Sequence, residues 1–121
     1  MKKKIIWLTG LSGSGKTTLA FNLKKKLIRK NKKVTIIDGD NFRNKSNTKN
    51  SFSKKNIYEN NISIIKHILN LKTSSEYIIV SVISPLKNTR MIAKRTFGKY
   101  YFEVFVNCTI KELFRRDTKN L

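Results

Sequence analysis

The apolar positions of this chain fall into two alternating rhythms. Short runs dominated by β-branched and aromatic residues, KIIWLT at 4–9, KVTIID at 33–38, YIIVSVI at 77–83 and YFEVFV at 101–106, have the length of strands. Between them lie longer segments with apolar residues at helical spacing. Leu19, Leu23 and Leu27 recur every four residues after Lys16. Ile57, Ile64, Ile65, Ile68 and Leu71 lie along one side of a second helix, for which Ser53 offers an N-cap. A third helix covers Asn88 to Thr96, and Thr109-Ile-Lys-Glu112 reads as a capping box opening a fourth. The stretch from Gly39 to Ser51, dense in Asn, Lys and Ser, predicts a mobile surface loop. Strands alternating with helices predict an α/β fold, a three-layer sandwich in which about four parallel strands carry helices on both faces.

At 121 residues the chain has room for one compact domain, 1–121, so all of its chemistry must share one core. The apolar runs stop far short of the ~20 residues a bilayer requires. No membrane partner is therefore expected, and the start MKKKIIWL is interrupted by Gly and Ser before a signal-peptide core develops. A cytoplasmic location follows as the expectation. Cys108 is the sole cysteine and reads as an ordinary semi-buried thiol.

The formal net charge of +20 points, taken alone, to a polyanion partner. Two features argue against nucleic acid. The 27 basic residues are mostly Lys and accompany abundant Asn, the excess that a biased nucleotide composition produces by itself. They are also scattered along the chain without the interleaved aromatics that single-strand binders use to stack bases. The expectation is a solvated basic surface that attracts small anionic substrates.

Gly10-Leu11-Ser12-Gly13-Ser14-Gly15-Lys16-Thr17 meets the pattern G-x-x-x-x-G-K-[ST] and stands between the first strand and the first helix, where the pattern has mechanical meaning. Glycines let backbone N–H groups turn inward around a β-phosphate, and the helix N-terminus adds partial positive charge. Lys16 is placed to reach the β- and γ-phosphates and Thr17 to hold Mg²⁺, with Gly10 through Thr18 forming the nucleotide-binding set. The expected architecture is the P-loop nucleoside triphosphate hydrolase fold, with ATP and Mg²⁺ as cofactors. No N-K-x-D stretch is present for guanine, and the short chain favours a small-molecule kinase over a switch GTPase or motor ATPase.

Asp38-Gly39-Asp40 lies at the carboxyl end of the second strand, the edge of an open α/β sheet where ligands gather. A carboxylate there can accept a proton from a substrate hydroxyl or help position Mg²⁺. From this point the residues resemble the adenylylsulfate kinase family. The resemblance is carried in order by GLSGSGKTTLA, by DGDNFR at 38–43, by Phe52-Ser53 with Glu59-Asn60, by ISP at 83–85 with Arg90 and Ala93, and by YFEVFVN with Arg116-Asp117 and Lys119. It covers essentially the whole chain. It implies transfer of the γ-phosphoryl of ATP to the 3′-hydroxyl of adenosine 5′-phosphosulfate (APS), giving PAPS in sulfate assimilation.

Carried over residue by residue, the resemblance implies that Asp40 is the carboxylate near the reacting hydroxyl. Arg43 and Asn60 resemble polar substrate contacts, Phe52 the aromatic stacked on adenine, and Ile83, Ser84 and Lys119 further substrate-binding positions. Ser84 also occupies the position proposed in some members to be phosphorylated, which makes Lys16, Asp40 and Ser84 the expected catalytic set. A small nucleotide is the implied partner, and an unpaired sheet edge adds the expectation of self-association, a homodimer at its simplest.

The chain also departs from the family pattern. Ile57 stands where members carry an Arg that helps hold the substrate's anionic tail, and a one-residue slip would make Asn61 rather than Asn60 the family Asn. Asn44-Lys45-Ser46 replaces His-Gly-Leu, and Leu86 stands for an aromatic. Family chains continue past the segment matched by Arg116–Leu121 into a lid and a last strand and helix, elements expected to be missing here. Two alternatives therefore stand beside the APS reading. One is a related kinase acting on another nucleotide-like acceptor, such as a cytidine diphosphoramidate. The other is an inactive ATP-binding fragment, or a basic chain that merely binds polyanions.

Overall fold

The computed structural model describes residues 3–10, 15–39, 54–82 and 87–106. Four strands, β1 (Lys4–Thr9), β2 (Val34–Asp38), β3 (Tyr77–Val82) and β4 (Tyr101–Phe105), form one parallel sheet in the order β2-β3-β1-β4. The helices are α1 (Lys16–Arg29), α2 (Lys54–Asn70) and α3 (Lys87–Phe97), and a 3₁₀ turn at Gly98–Tyr100 leads from α3 into β4. The expected α/β three-layer architecture is present, with element ends within a residue or so of those read from the pattern. The Ser53 cap, the loop beyond Gly39, Ser84-Pro85, Cys108 and the Thr109–Glu112 box lie outside the described residues.

Strand period two divides the core. Ile5 and Trp7 of β1 and Ile78, Val80 and Val82 of β3 face α2 and α3, where they meet Ile64, Ile65, Ile68, Ala93 and Phe97. Leu8 and Ile79 face the other way, onto Ala20 with Leu19, Leu23 and Leu27 of α1. The two central strands are thus apolar on both faces, which is why they read as continuous hydrophobic runs rather than alternating ones. Each fully buried Ile or Leu contributes about 1.5–3 kcal/mol relative to exposure. Edge strand β4 differs: Phe102, Val104 and Phe105 are exposed.

Two local devices hold the elements. At the end of α1, Asn31 N–H donates to Ile28 O and Lys32 N–H to Leu27 O, with Asn31 at φ 61°. This is a Schellman ending built on Asn, one of the few side chains that tolerate the left-handed region. On β4, the Tyr101 hydroxyl donates to Glu103 Oε1 at 2.7 Å, and Arg90 Nη1 lies 3.4 Å from Glu103 Oε2. Burial first, and then the Glu103 carboxylate, push the Tyr101 hydroxyl far above the usual phenol range.

Candidate active site

β1 and β3 are neighbours, yet the chain leaves them toward opposite faces, into α1 after β1 and toward α3 after β3. That divergence opens a crevice beyond their carboxyl ends. Thr9 is level with Val82 and Asp38 with Ser81, so three strand ends converge on it.

On the β1 side, Gly15 has φ 98° and ψ 12° and immediately precedes α1, a left-handed conformation that glycine adopts without a Cβ penalty. Its carbonyl accepts Leu19 N–H at 2.9 Å, starting the helix, while glycine supplies no capping oxygen and no acidic residue occupies the first turn. The positive end of the helix is thereby suited to an anion. Lys16 is only 8% exposed, and its Nζ donates to Gly10 O at 2.9 Å, so the ammonium is held against the end of β1. Thr17 and Thr18 are exposed beside it. Among the described residues no group of three or more His, Cys, Asp or Glu could hold a metal ion. An exposed Thr17 hydroxyl next to a phosphate cradle fits Mg²⁺, a cation that protein sites commonly bind through few side chains plus substrate phosphates.

On the β2 side, Asp38 is half-buried and Gly39 is buried against β3. A Cβ at Gly39 would stand 2.7 Å from Val82 Cγ1 and 2.8 Å from Ser81 O, so only glycine lets β2 end this close to its neighbour. Asn60, on the second turn of α2, donates from Nδ2 to Gly39 O at 3.3 Å. Its Oδ1 is buried without a partner among the described residues. Asn60 thus ties α2 to the end of β2 and keeps an acceptor oxygen in hand. Asn61 is 0% exposed. Of the two, Asn60 is the one that bonds Gly39 at the end of β2. Ile57, one turn earlier, is buried and apolar.

The structure therefore brings together Gly10, Gly15, Lys16, Thr17 and Thr18 on one side of the crevice and Asp38, Gly39 and Asn60 on the other. Leu11, Ser12, Gly13, Ser14, Asp40, Arg43, Phe52, Ile83, Ser84 and Lys119 lie outside the described residues. The steric role of Gly39 and the Asn60–Gly39 bond were missed by sequence reasoning. The glycine between two aspartates at a strand end was the available signal for the first. The second joins residues 21 positions apart and leaves no local trace.

Comparison with known proteins agrees with this geometry. The family model for adenylylsulphate kinase matches residues 2–121. A probable adenylyl-sulfate kinase of Halalkalibacterium halodurans is 37% identical over 122 aligned residues, covering 99% of this chain and 58% of the relative. An adenylyl-sulfate kinase of Clostridium kluyveri is 36% identical, covering 97% of this chain and 59% of the relative. The chain thus spans somewhat under two thirds of the length of these curated relatives. Among solved structures, the Mycobacterium tuberculosis APS kinase CysC in complex with AMPPNP and APS superposes with a TM-score of 0.77 at 33% identity, covering 98% of this chain and 70% of that one. Matched from its second residue to its last and carrying the P-loop between β1 and α1, the chain belongs to the adenylylsulphate kinase family.

Proposed function

We propose that this sequence forms the nucleotide-binding part of a cytoplasmic kinase that transfers the γ-phosphoryl of ATP to the 3′-hydroxyl of APS, giving PAPS. The observation that carries the reading is Lys16, buried at the left-handed entry to α1 and held by Gly10 O at the end of β1. The related M. tuberculosis enzyme solved with AMPPNP and APS supports the choice of both nucleotides. In this reading Gly10 through Thr18 hold the triphosphate, and Lys16 neutralises charge that develops on the transferring group. Mg²⁺ at Thr17, when bound, supplies further neutralisation of the phosphates. Asp40 accepts the proton as the 3′-oxygen bonds to the γ-phosphorus and the bond to the leaving β-phosphate oxygen breaks, releasing ADP. Arg43, Phe52, Asn60, Ile83, Ser84 and Lys119 orient the acceptor. Direct transfer of this kind needs positioning and electrostatics, with Ser84 as a contact rather than a phosphorylated intermediate.

The test is formation of 3′-phosphorylated product from Mg-ATP and APS by the chain and by Lys16→Ala. Loss of one preorganised positive group is expected to lower the rate about 10²–10³-fold. Equal rates for parent and variant would refute the role of Lys16, and ATP binding without any product from APS would refute the acceptor. One observation favours a second acceptor: buried, apolar Ile57 offers no charge to an anionic tail. Turnover of a cytidine diphosphoramidate but not APS would select that alternative. The outer edge of β4, with Phe102 and Val104 exposed, supports the homodimer as the assembly, and a monomer by sedimentation at high concentration would refute it.

A further inference from the structure

Basic side chains that look scattered along the sequence are gathered by the fold. In a parallel sheet with antiparallel connecting helices, strands start and helices end at one pole, here the pole opposite the candidate active site. Arg29, Lys30, Lys32 and Lys33 surround the α1–β2 turn, Lys72 lies between α2 and β3, and Lys4 opens β1; all six are exposed. The register aligns Val34, Tyr77 and Lys4 in one row, so Lys33 and Lys4 stand near one level across the width of three adjacent strands, with Glu76 and Tyr77 between them. That width is about 10 Å. Glu76 is the one acidic side chain at this pole among the described residues.

The surface is built rather than loose. Glu76 N–H and Tyr77 N–H both donate to Lys33 O, Lys4 N–H donates to Glu76 O, and the Glu76 carboxylate accepts Lys33 N–H and pairs with Lys32 Nζ at 3.7 Å. The Schellman ending fixes the chain between Lys30 and Lys32. Helix dipoles account for part of the pattern, because Lys26 and Arg29 sit in the last turn of α1 and Lys94 and Arg95 in that of α3. Lys4, Lys32, Lys33 and Lys72 lie outside the helices.

We propose that this pole binds the phosphodiester backbone of a nucleic-acid duplex, without reading bases. A width of about 10 Å corresponds to a length of duplex axis along which each strand carries about three phosphates, one per 3.4 Å of rise. Two tyrosines stand at the same pole, but Lys4 Nζ lies over the Tyr77 ring and Lys99 Nζ over the Tyr100 ring, each 5.4 Å from the centroid. The rings are engaged by ammonium groups, which disfavours stacking of splayed single-strand bases. An anionic membrane fits less well. The exposed aliphatic residues near this end, Ile28 and Leu69, are 51% and 52% accessible but sit on α1 and α2, on opposite faces of the sheet. They form no continuous apolar stripe to insert among lipids. The inference is independent of the kinase reading and reverses the expectation drawn from the linear spread of lysines.

The test is fluorescence anisotropy of a labelled 24-base-pair DNA duplex against the chain over a range of KCl concentrations. The parent is compared with Arg29→Gln/Lys30→Gln/Lys33→Gln/Lys72→Gln and with a control of equal charge change away from the pole, Lys24→Gln/Lys25→Gln/Lys55→Gln/Lys87→Gln. Thermal melts check that both fold. Four lost phosphate contacts should reduce the slope of log affinity against log salt by about 3.6 and weaken binding about tenfold or more, with a much smaller change in the control. Equal weakening of both variants would overturn the proposal, leaving affinity a matter of net charge. So would absence of duplex binding at 100 mM KCl, or tighter pole-dependent binding to phosphatidylserine vesicles than to the duplex.

Discussion

Gly39→Ala is the substitution whose cost can be read most directly from the structure. The added Cβ would stand 2.7 Å from Val82 Cγ1, 2.8 Å from Ser81 O and 3.2 Å from Val82 Cα. The methyl of Val82 can turn aside, but the carbonyl of Ser81 belongs to a central strand held between β1 and β2. Relief must therefore come from Gly39 moving away from β3 by about half an ångström, against close packing. Overpacking of this kind costs about 1–3 kcal/mol. For a domain of this size that lowers Tm by about 4–12 °C. Trp7, the sole tryptophan and fully buried, reports the transition by fluorescence. Because Gly39 joins Asp38 to Asp40, the shift should also misplace Asp40, the carboxylate proposed to accept the proton, and reduce turnover by up to about 10²-fold. ATP affinity, which depends on β1 and α1, should hold at the parent value. Adding Val82→Ala removes the 2.7 Å contact and leaves the one to Ser81 O, so rescue should be partial. Parent-like Tm and turnover in Gly39→Ala, or complete rescue by Val82→Ala, would refute the steric account.

Asn60→Leu leaves Gly39 O without its buried donor and should destabilise by about 1–3 kcal/mol in urea unfolding, with acceptor turnover falling more than ATP binding. Asn31→Ala, which places an alanine at φ 61°, should cost about 1 kcal/mol, whereas Asn31→Gly should be neutral or slightly stabilising. Equal effects would show that the left-handed Schellman residue carries no strain. Tyr101 is the pH-sensitive group. Its folded-state pKa is raised, so its contribution is fully present below the unfolded value of about 10 and is lost as pH rises toward the folded one. The difference in 295 nm absorbance between the parent and Tyr101→Phe should show Tyr101 still protonated at about pH 11 until the chain unfolds, and Tyr101→Phe should soften the alkaline loss of stability. Ionisation of Tyr101 in the folded chain near about pH 10 would count against the Glu103 bond.

Much of this protein is written in short-range pattern. β-branched runs and four-residue leucine and isoleucine spacing were enough to place strands and helices, because backbone geometry imposes periods of 2 and 3.6 on whatever is to be buried. The glycine pattern before Lys16 was equally legible, since cradling a phosphate needs small residues, a helix start and a lysine in contiguous order. What the sequence by itself determined is therefore the α/β class, the phosphate cradle and the family. What it left open was set by contacts between residues distant along the chain. Asn60 and Asn61 are adjacent and chemically identical in sequence, and only the rotation of α2 against β2 decides that Asn60 meets Gly39 while Asn61 is wholly enclosed. The need for glycine at 39 arises from β3, more than forty positions later. Lysines 4 and 33 are distant in sequence, and parallel pairing of three strands brings them close to one level. Local order fixes element type because hydrogen bonding and steric limits act between near neighbours. Side-chain encounters and the shape of the electrostatic field depend on how the layers close, so only the tertiary structure could decide them.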